Sequence, residues 1–100
     1  MVFKIGLIPS AKKELEEAID YYFNIYNSLT QKFLNEFENL IRDLETNPFY
    51  EKKYAGIRSR NLKSFPYCIH FIVDEEKELV SIIAIAFAKQ KQSDFQERIK

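Results

Sequence analysis

Residues 79–87 read LVSIIAIAF, a nearly continuous apolar run within a chain of 100 residues. Such a run marks a central strand buried on both faces. A strand of that kind needs a hydrogen-bonding neighbour and apolar cover, which puts a sheet at the centre of the fold. The neighbour is close in sequence. Residues 67–73 are dense in β-branched and aromatic side chains, the composition that suits a pleated surface. The polar stretch 74–78 between the two predicts a hairpin turn.

Upstream, residues 2–8 place Phe3, Ile5 and Leu7 on one side and Lys4 and Gly6 on the other, the period of a half-buried strand. Pro9 and Ser10 end it, and Ser10 is suited to cap a following helix. Leu15, Ala18, Ile19, Tyr22, Ile25, Tyr26 and Leu29 then recur at helical spacing. Ser28 with Gln31 three residues later reads as a capping box opening a second helix. Its stripe is Phe33, Phe37, Leu40, Ile41 and Leu44, and Asn47-Pro48 ends it, because the residue before proline is pushed out of the α region. The short link predicts an antiparallel helical hairpin.

Residues 49–56 show no period and are expected to form a loop entering the sheet near 54–57. Residues 58–64 alternate weakly, Phe65-Pro66 marks a break or an edge, and 93–100 are expected as a short terminal helix. The expectation is therefore one α+β domain over residues 1–100, in the order β-α-α-β-β-β. Its helical hairpin packs on a twisted antiparallel sheet.

Several function classes drop out on composition. Cys68 is the sole cysteine, so no internal disulfide and no cysteine metal site can form, in keeping with a reducing cytoplasm. No apolar run approaches the ~20 residues that span a bilayer, and no secretory leader is evident. A cytoplasmic protein without membrane attachment is expected. Gly6 and Gly56 are the only glycines, too few for a glycine-rich phosphate loop. The acid pairs Glu16-Glu17 and Glu75-Glu76 lack companions at metal-ligand spacing, so no cofactor and no metal are expected.

Basic and acidic residues balance at 15 each, but their distribution is uneven. Through Pro48 the bases are Lys4, Lys12, Lys13, Lys32 and Arg42, against Glu14, Glu16, Glu17, Asp20, Glu36, Glu38, Asp43 and Glu45. The remainder is net basic, and Lys52, Lys53, Arg58, Arg60 and Lys63 follow one another with no acid between them. Such a cluster can face a phosphate backbone, arginine as a planar fork and lysine as a point charge; it can equally be a solvated strand edge. His70 shares a strand face with Cys68 and Ile72. No orienting carboxylate is placed by the sequence, so a structural histidine is expected rather than a Cys-His catalytic pair.

The element order, together with particular residues, resembles the RelE/ParE toxin superfamily, once called plasmid stabilisation proteins. The carriers are Ala11, Asp20-Tyr21-Tyr22, Phe33, Asn47-Pro48, Tyr54-Ala55-Gly56-Ile57-Arg58, Leu62 and Phe65-Pro66-Tyr67, followed by Ile69, Phe71, Val73, Asp74 and the run Ile82 to Ala86. Phe65-Pro66-Tyr67 looks closest to the ParE-like side. The resemblance implies the toxin of a type II toxin-antitoxin system, silenced by a cognate antitoxin, acting as a monomer or held in a toxin-antitoxin hetero-oligomer. On the ParE-like side the implied target is DNA gyrase. The alternative is RelE-like cleavage of messenger RNA on the ribosome, and a second alternative is an inactive relative kept as an antitoxin-binding module.

Where relatives commonly show His, a downstream Arg, Pro and Trp, this chain has Phe87, Gln90, Gln92 and Phe95. A metal-independent ribonuclease would therefore rest on Lys52, Lys53, Arg58, Arg60, Lys89 or Lys91 for its acid, base and charge stabilisation. Target or phosphate binding would rest on Arg58, Arg60, Lys63 and Lys89. Non-enzymatic binding is the favoured expectation.

Overall fold

The structure, a computed structural model, describes residues 2–49, 52–54, 56–88 and 98, with the backbone alone for 52–54. The elements are β1 (Lys4–Leu7), α1 (Pro9–Ile25), α2 (Asn27–Thr46), β2 (Lys52–Tyr54), β3 (Ile57–Asn61), β4 (Tyr67–Asp74) and β5 (Leu79–Phe87). All strands join one sheet of order β1-β5-β4-β3-β2. The apolar run is thus an interior strand, with β1 on one side and β4 on the other.

Both faces of β5 are buried, as its sequence requires. Val80, Ile82 and Ile85 join Ile69 and Phe71 of β4 beneath the helices, where Ala18 and Tyr22 of α1 and Phe33, Phe37, Leu40 and Leu44 of α2 meet them. Ile83, Ala84 and Ala86 lie on the opposite face with Ile57. Each large apolar side chain withdrawn from water contributes about 1.5–3 kcal/mol. The two faces are kept in phase across a slip in register between His70 and Phe71. Phe71 faces Ile82 and His70 faces Ala84, leaving Ile83 as the extra residue of a bulge.

The expected α+β layering holds, with two additions. The sheet is mixed, because β1 runs parallel to β5; the helical hairpin between them supplies the long crossover that a parallel pair needs. The segment expected as a loop contributes the short strand β2, antiparallel to β3. Gly56, at φ 77°, turns the chain between these strands in the left-handed region that glycine tolerates. The expected helix at 93–100 lies outside the described residues, apart from Arg98.

Helix boundaries follow backbone hydrogen bonding more than the expected caps. Ile8 donates to the Ile82 carbonyl at 3.1 Å and accepts from Lys12 at 3.0 Å, so it closes the strand and opens the helix at once. Pro9 takes the first helical position, where its missing N–H costs nothing, and Ser10 lies inside the first turn instead of capping it. The Ser28–Gln31 box is not used either. Tyr26 alone is extended between the helices; its N–H bonds Tyr22 at 2.8 Å and its carbonyl accepts Leu29 at 2.9 Å. Helix α2 therefore begins before Ser28. Asn47 does terminate it.

Candidate functional site

Strand alternation and register decide where the cations go. Arg58 lies opposite Phe71 and Arg60 opposite Ile69, so both arginines are on the helix side of β3, and Lys52 lies opposite Arg58 in the next strand. Arg58 is half-buried with its guanidinium 5.6 Å from the centroid of the Phe49 ring, a cation–π contact. It borders a groove of about 680 Å³ that reaches the β4–β5 turn and its acids Asp74, Glu75 and Glu76. Arg60 reaches α2, where its guanidinium stands 3.9 Å from Asp43. Lys63 is exposed beside the same helix. Lys89 and Lys91 lie outside the described residues, as do the side chains of Lys52 and Lys53.

The cationic run is therefore an edge whose charge α2 partly offsets. Asp43 and Glu36 enter it from the helix, and Glu36 accepts the Ser64 amide at 3.0 Å. Burial opposes ionisation of Glu36, but hydrogen bonds from Ser64 and Lys63 and the charge of Lys32 outweigh it and hold its pKa below the usual value. The sequence missed this compensation because the acids are contributed by another element.

On the opposite face, His70 and Cys68 are buried. Burial pushes the His70 pKa below its ordinary 6.5; the Glu14 carboxylate opposes the shift and the Arg98 guanidinium adds to it. A carboxylate does reach this histidine electrostatically, though it is already committed elsewhere. Arg98 pairs with Glu14 through both ends of its fork, at 2.9 and 3.1 Å, and donates to the Ile83 carbonyl at 2.8 Å. Glu14 also accepts the Ile85 amide at 3.0 Å.

This pair closes the side of β5 that β1 leaves uncovered beyond Ile82. The sequence gives no signal for it, since the partners lie at opposite ends of the chain.

The histidine makes stability depend on pH. Its folded pKa is depressed, so the unfolded chain binds the proton first, and stability falls as pH drops below about 6.5 toward the folded value. Urea unfolding between about pH 7 and 5 should show this slope, and His70→Gln should flatten it.

The residues that carried the resemblance assemble at the top of the hairpin. Tyr22, Phe33, Phe65 and Tyr67 are all buried; Phe65 meets Tyr22 edge-on at 4.9 Å and Phe33 at 5.4 Å. Burial raises the pKa of both Tyr22 and Tyr67; the hydrogen bond between their hydroxyls adds to the rise in Tyr67 and opposes it in Tyr22. Phe65-Pro66-Tyr67 thus pins the start of β4 to both helices. The sequence matches the family described as the ParE toxin of the type II toxin-antitoxin system, parDE, over residues 6–91.

The chain belongs to the ParE toxin family. It is the toxin of a type II toxin-antitoxin pair, and its partner is a cognate antitoxin.

Solved structures agree on the fold. The chromosomal ParDE system of P. aeruginosa superposes with a TM-score of 0.71 at 16% identity, over 88% of this chain and 98% of that one. A double arginine-to-alanine variant of the E. coli toxin RelE in its free state gives 0.74 at 18%, over the whole of both chains. The RelBE2 toxin-antitoxin complex of Mycobacterium tuberculosis gives 0.58 at 15%, over 87% and 99%. No curated protein matches. Among the described residues, no helix is long and apolar enough to cross a membrane, and no cluster of three metal-ligating side chains occurs.

Proposed function

We propose that this toxin, as one domain over residues 1–100, acts in the cytoplasm by binding DNA gyrase and blocking its cycle. The observation that carries the reading is the ParE match across residues 6–91, since target choice within the superfamily follows the ParE and RelE branches. The electrostatics support binding over chemistry. Metal-free cleavage of RNA needs a base poised for the 2′-hydroxyl among uncompensated cations. Here Arg60 stands beside Asp43, and His70 is buried on the sheet face opposite to both arginines. Arg58, at the mouth of a groove, is the cation we assign to the target, with Arg60 and Lys63 flanking it and Lys89 as a further candidate.

Purified toxin is expected to inhibit gyrase supercoiling and to trap the cleaved complex, and Arg58→Glu should abolish both effects. Wild-type toxin that leaves supercoiling unchanged would remove gyrase as the target.

A second reading, ribosome-dependent cleavage of messenger RNA, draws support from Arg58 and Arg60 lying two residues apart on one strand face. Two cations so placed can bracket one phosphate; Lys52, Lys53, Lys89 and Lys91 would then compete for the role of base. Transcript ends mapped in a translating extract separate the readings: cuts that vanish with Arg58→Ala would move the target to the ribosome. Tight antitoxin binding without any growth defect would instead mark a silent binding module.

A further inference from the structure

The hairpin of β4 and β5 outreaches the strand beside it. Strand β3 pairs with β4 from Asn61 opposite Cys68 to Arg58 opposite Phe71, whereas β4 and β5 stay paired as far as Asp74 opposite Leu79. Ile72, Val73 and Asp74 therefore run past the last of these β3 pairs, and the groove of about 680 Å³ lies at that step. Phe49 and Arg58 enter it from the segments flanking β2, and Asp74, Glu75 and Glu76 enter it from the β4–β5 turn.

Both sides are held in place. The Phe49 ring meets buried Phe3 edge-on at 5.5 Å and lies 5.6 Å from the Arg58 guanidinium, yet 46% of Phe49 remains accessible. An exposed ring that is already positioned loses little freedom on association, which is the property of an interface anchor. In the turn, Asp74 accepts the Lys77 amide at 3.1 Å. The Glu78 amide donates to the Glu75 carbonyl at 3.3 Å, and the Glu78 carbonyl accepts the Lys4 amide at 2.8 Å, so the turn is tied to β1.

Charge restricts what can lie between them. Among the described residues of the lining, Arg58 and Lys77 are outnumbered by Asp74, Glu75 and Glu76. A nucleic-acid backbone carries a negative charge at every phosphate. Laid along this groove, it would gain Arg58 for one phosphate and set the next against the turn acids. A polypeptide can change the sign of its charge within a few residues. Its carboxylate gains the Arg58 fork, an apolar side chain covers the Phe49 ring, and a lysine or arginine further along faces Glu75 and Glu76.

We propose that this groove docks a protein segment of the target in which an acidic residue for Arg58 and a basic residue for the β4–β5 turn flank an apolar side chain on Phe49. The inference rests on the gyrase reading and narrows it. The toxin recognises the enzyme's polypeptide here and leaves nucleic acid outside the groove.

The acids of the turn separate the two occupants by sign, since a polyanion gains from their removal and a segment of mixed charge loses. Fluorescein-labelled whole toxin, titrated by polarisation with intact gyrase with and without DNA, reads the difference. Glu75→Lys combined with Glu76→Lys should weaken binding to DNA-free gyrase at least about tenfold, because two attractions become repulsions. Both residues are exposed in the turn, so the fold is kept. Arg58→Glu should weaken binding by about the same factor or more. Glu16→Lys combined with Glu38→Lys makes the same change of charge at exposed helix positions outside the groove, and should alter binding by less than about twofold at physiological salt.

If the turn variant binds gyrase as tightly as wild type, or more tightly, the proposal is overturned while the gyrase reading stands. A gain seen only with DNA present gives the groove to nucleic acid. Free toxin that sediments as a dimer dissolved by the turn variant gives it to a second copy and also overturns the proposal. Wild-type toxin that binds no gyrase removes the gyrase reading, and the inference falls with it.

Discussion

Phe33→Ala is expected to destabilise the protein by about 3–5 kcal/mol, the range for deleting a fully buried ring. Phe33 has no solvent exposure, and its ring lies 5.6 Å from Tyr22, 5.4 Å from Phe65 and 5.6 Å from Tyr67. These neighbours come from α1 and from the chain entering β4, so no single element can move in to fill the space. The cost is the lost transfer of the ring from water plus the cavity it leaves. Small domains hold only about 5–15 kcal/mol in all, so the variant should sit near its unfolding midpoint in modest urea. Phe23→Ala, at an exposed position of α1, should stay within about 0.5 kcal/mol of wild type. Urea unfolding of both reads the difference directly. A Phe33→Ala loss below about 1 kcal/mol would mean that Phe33 does not join the helices to β4.

That aromatic cluster explains both what the sequence revealed and where it stopped. Tyr22, Phe33, Phe65 and Tyr67 are readable because a core must be written in large apolar side chains at helical or strand spacing. The same holds for the run 79–87, whose burial on both faces followed from its lack of polar residues. These residues identify the fold because they build it. They say little about the target, since all four are spent on the core. Family membership was legible for that reason, and the preference for gyrase over the ribosome came only through the family branch.

What stayed hidden depends on contacts between distant elements. Alternation alone put Arg58 and Arg60 on one face, but only the packing of α2 brought Asp43 to Arg60 and Glu36 to the Ser64 amide. The expected caps failed on local accounting: Ser10 and Ser28 have the right chemistry, yet backbone groups of Ile8 and Tyr26 supplied the hydrogen bonds first. The parallel pairing of β1 with β5 has no local mark either, because a half-buried strand reads the same in either direction.

Glu14→Ala is expected to cost about 2–4 kcal/mol, more than its place on a helix surface suggests. Its carboxylate has two duties, and removing it takes the acceptor from the Ile85 N–H and a bidentate carboxylate from the half-buried Arg98 guanidinium. Arg98→Ala should cost less, since Glu14 retains the Ile85 amide. The double variant should lose less than the sum of the two, with a coupling of about 1–3 kcal/mol for a pair in direct contact. Glu14→Gln separates the duties, keeping an acceptor for Ile85 while giving up the charge.

His70 supplies an independent readout. Glu14 raises its pKa and Arg98 lowers it, so an NMR titration should find the histidine shifted down in Glu14→Ala and up in Arg98→Ala. Stabilities that add within about 0.5 kcal/mol, together with a histidine that moves the same way in both variants, would show that the pair does not close this edge of the sheet. Opposite shifts with clear coupling would show that a single ion pair covers β5 beyond the end of its pairing with β1.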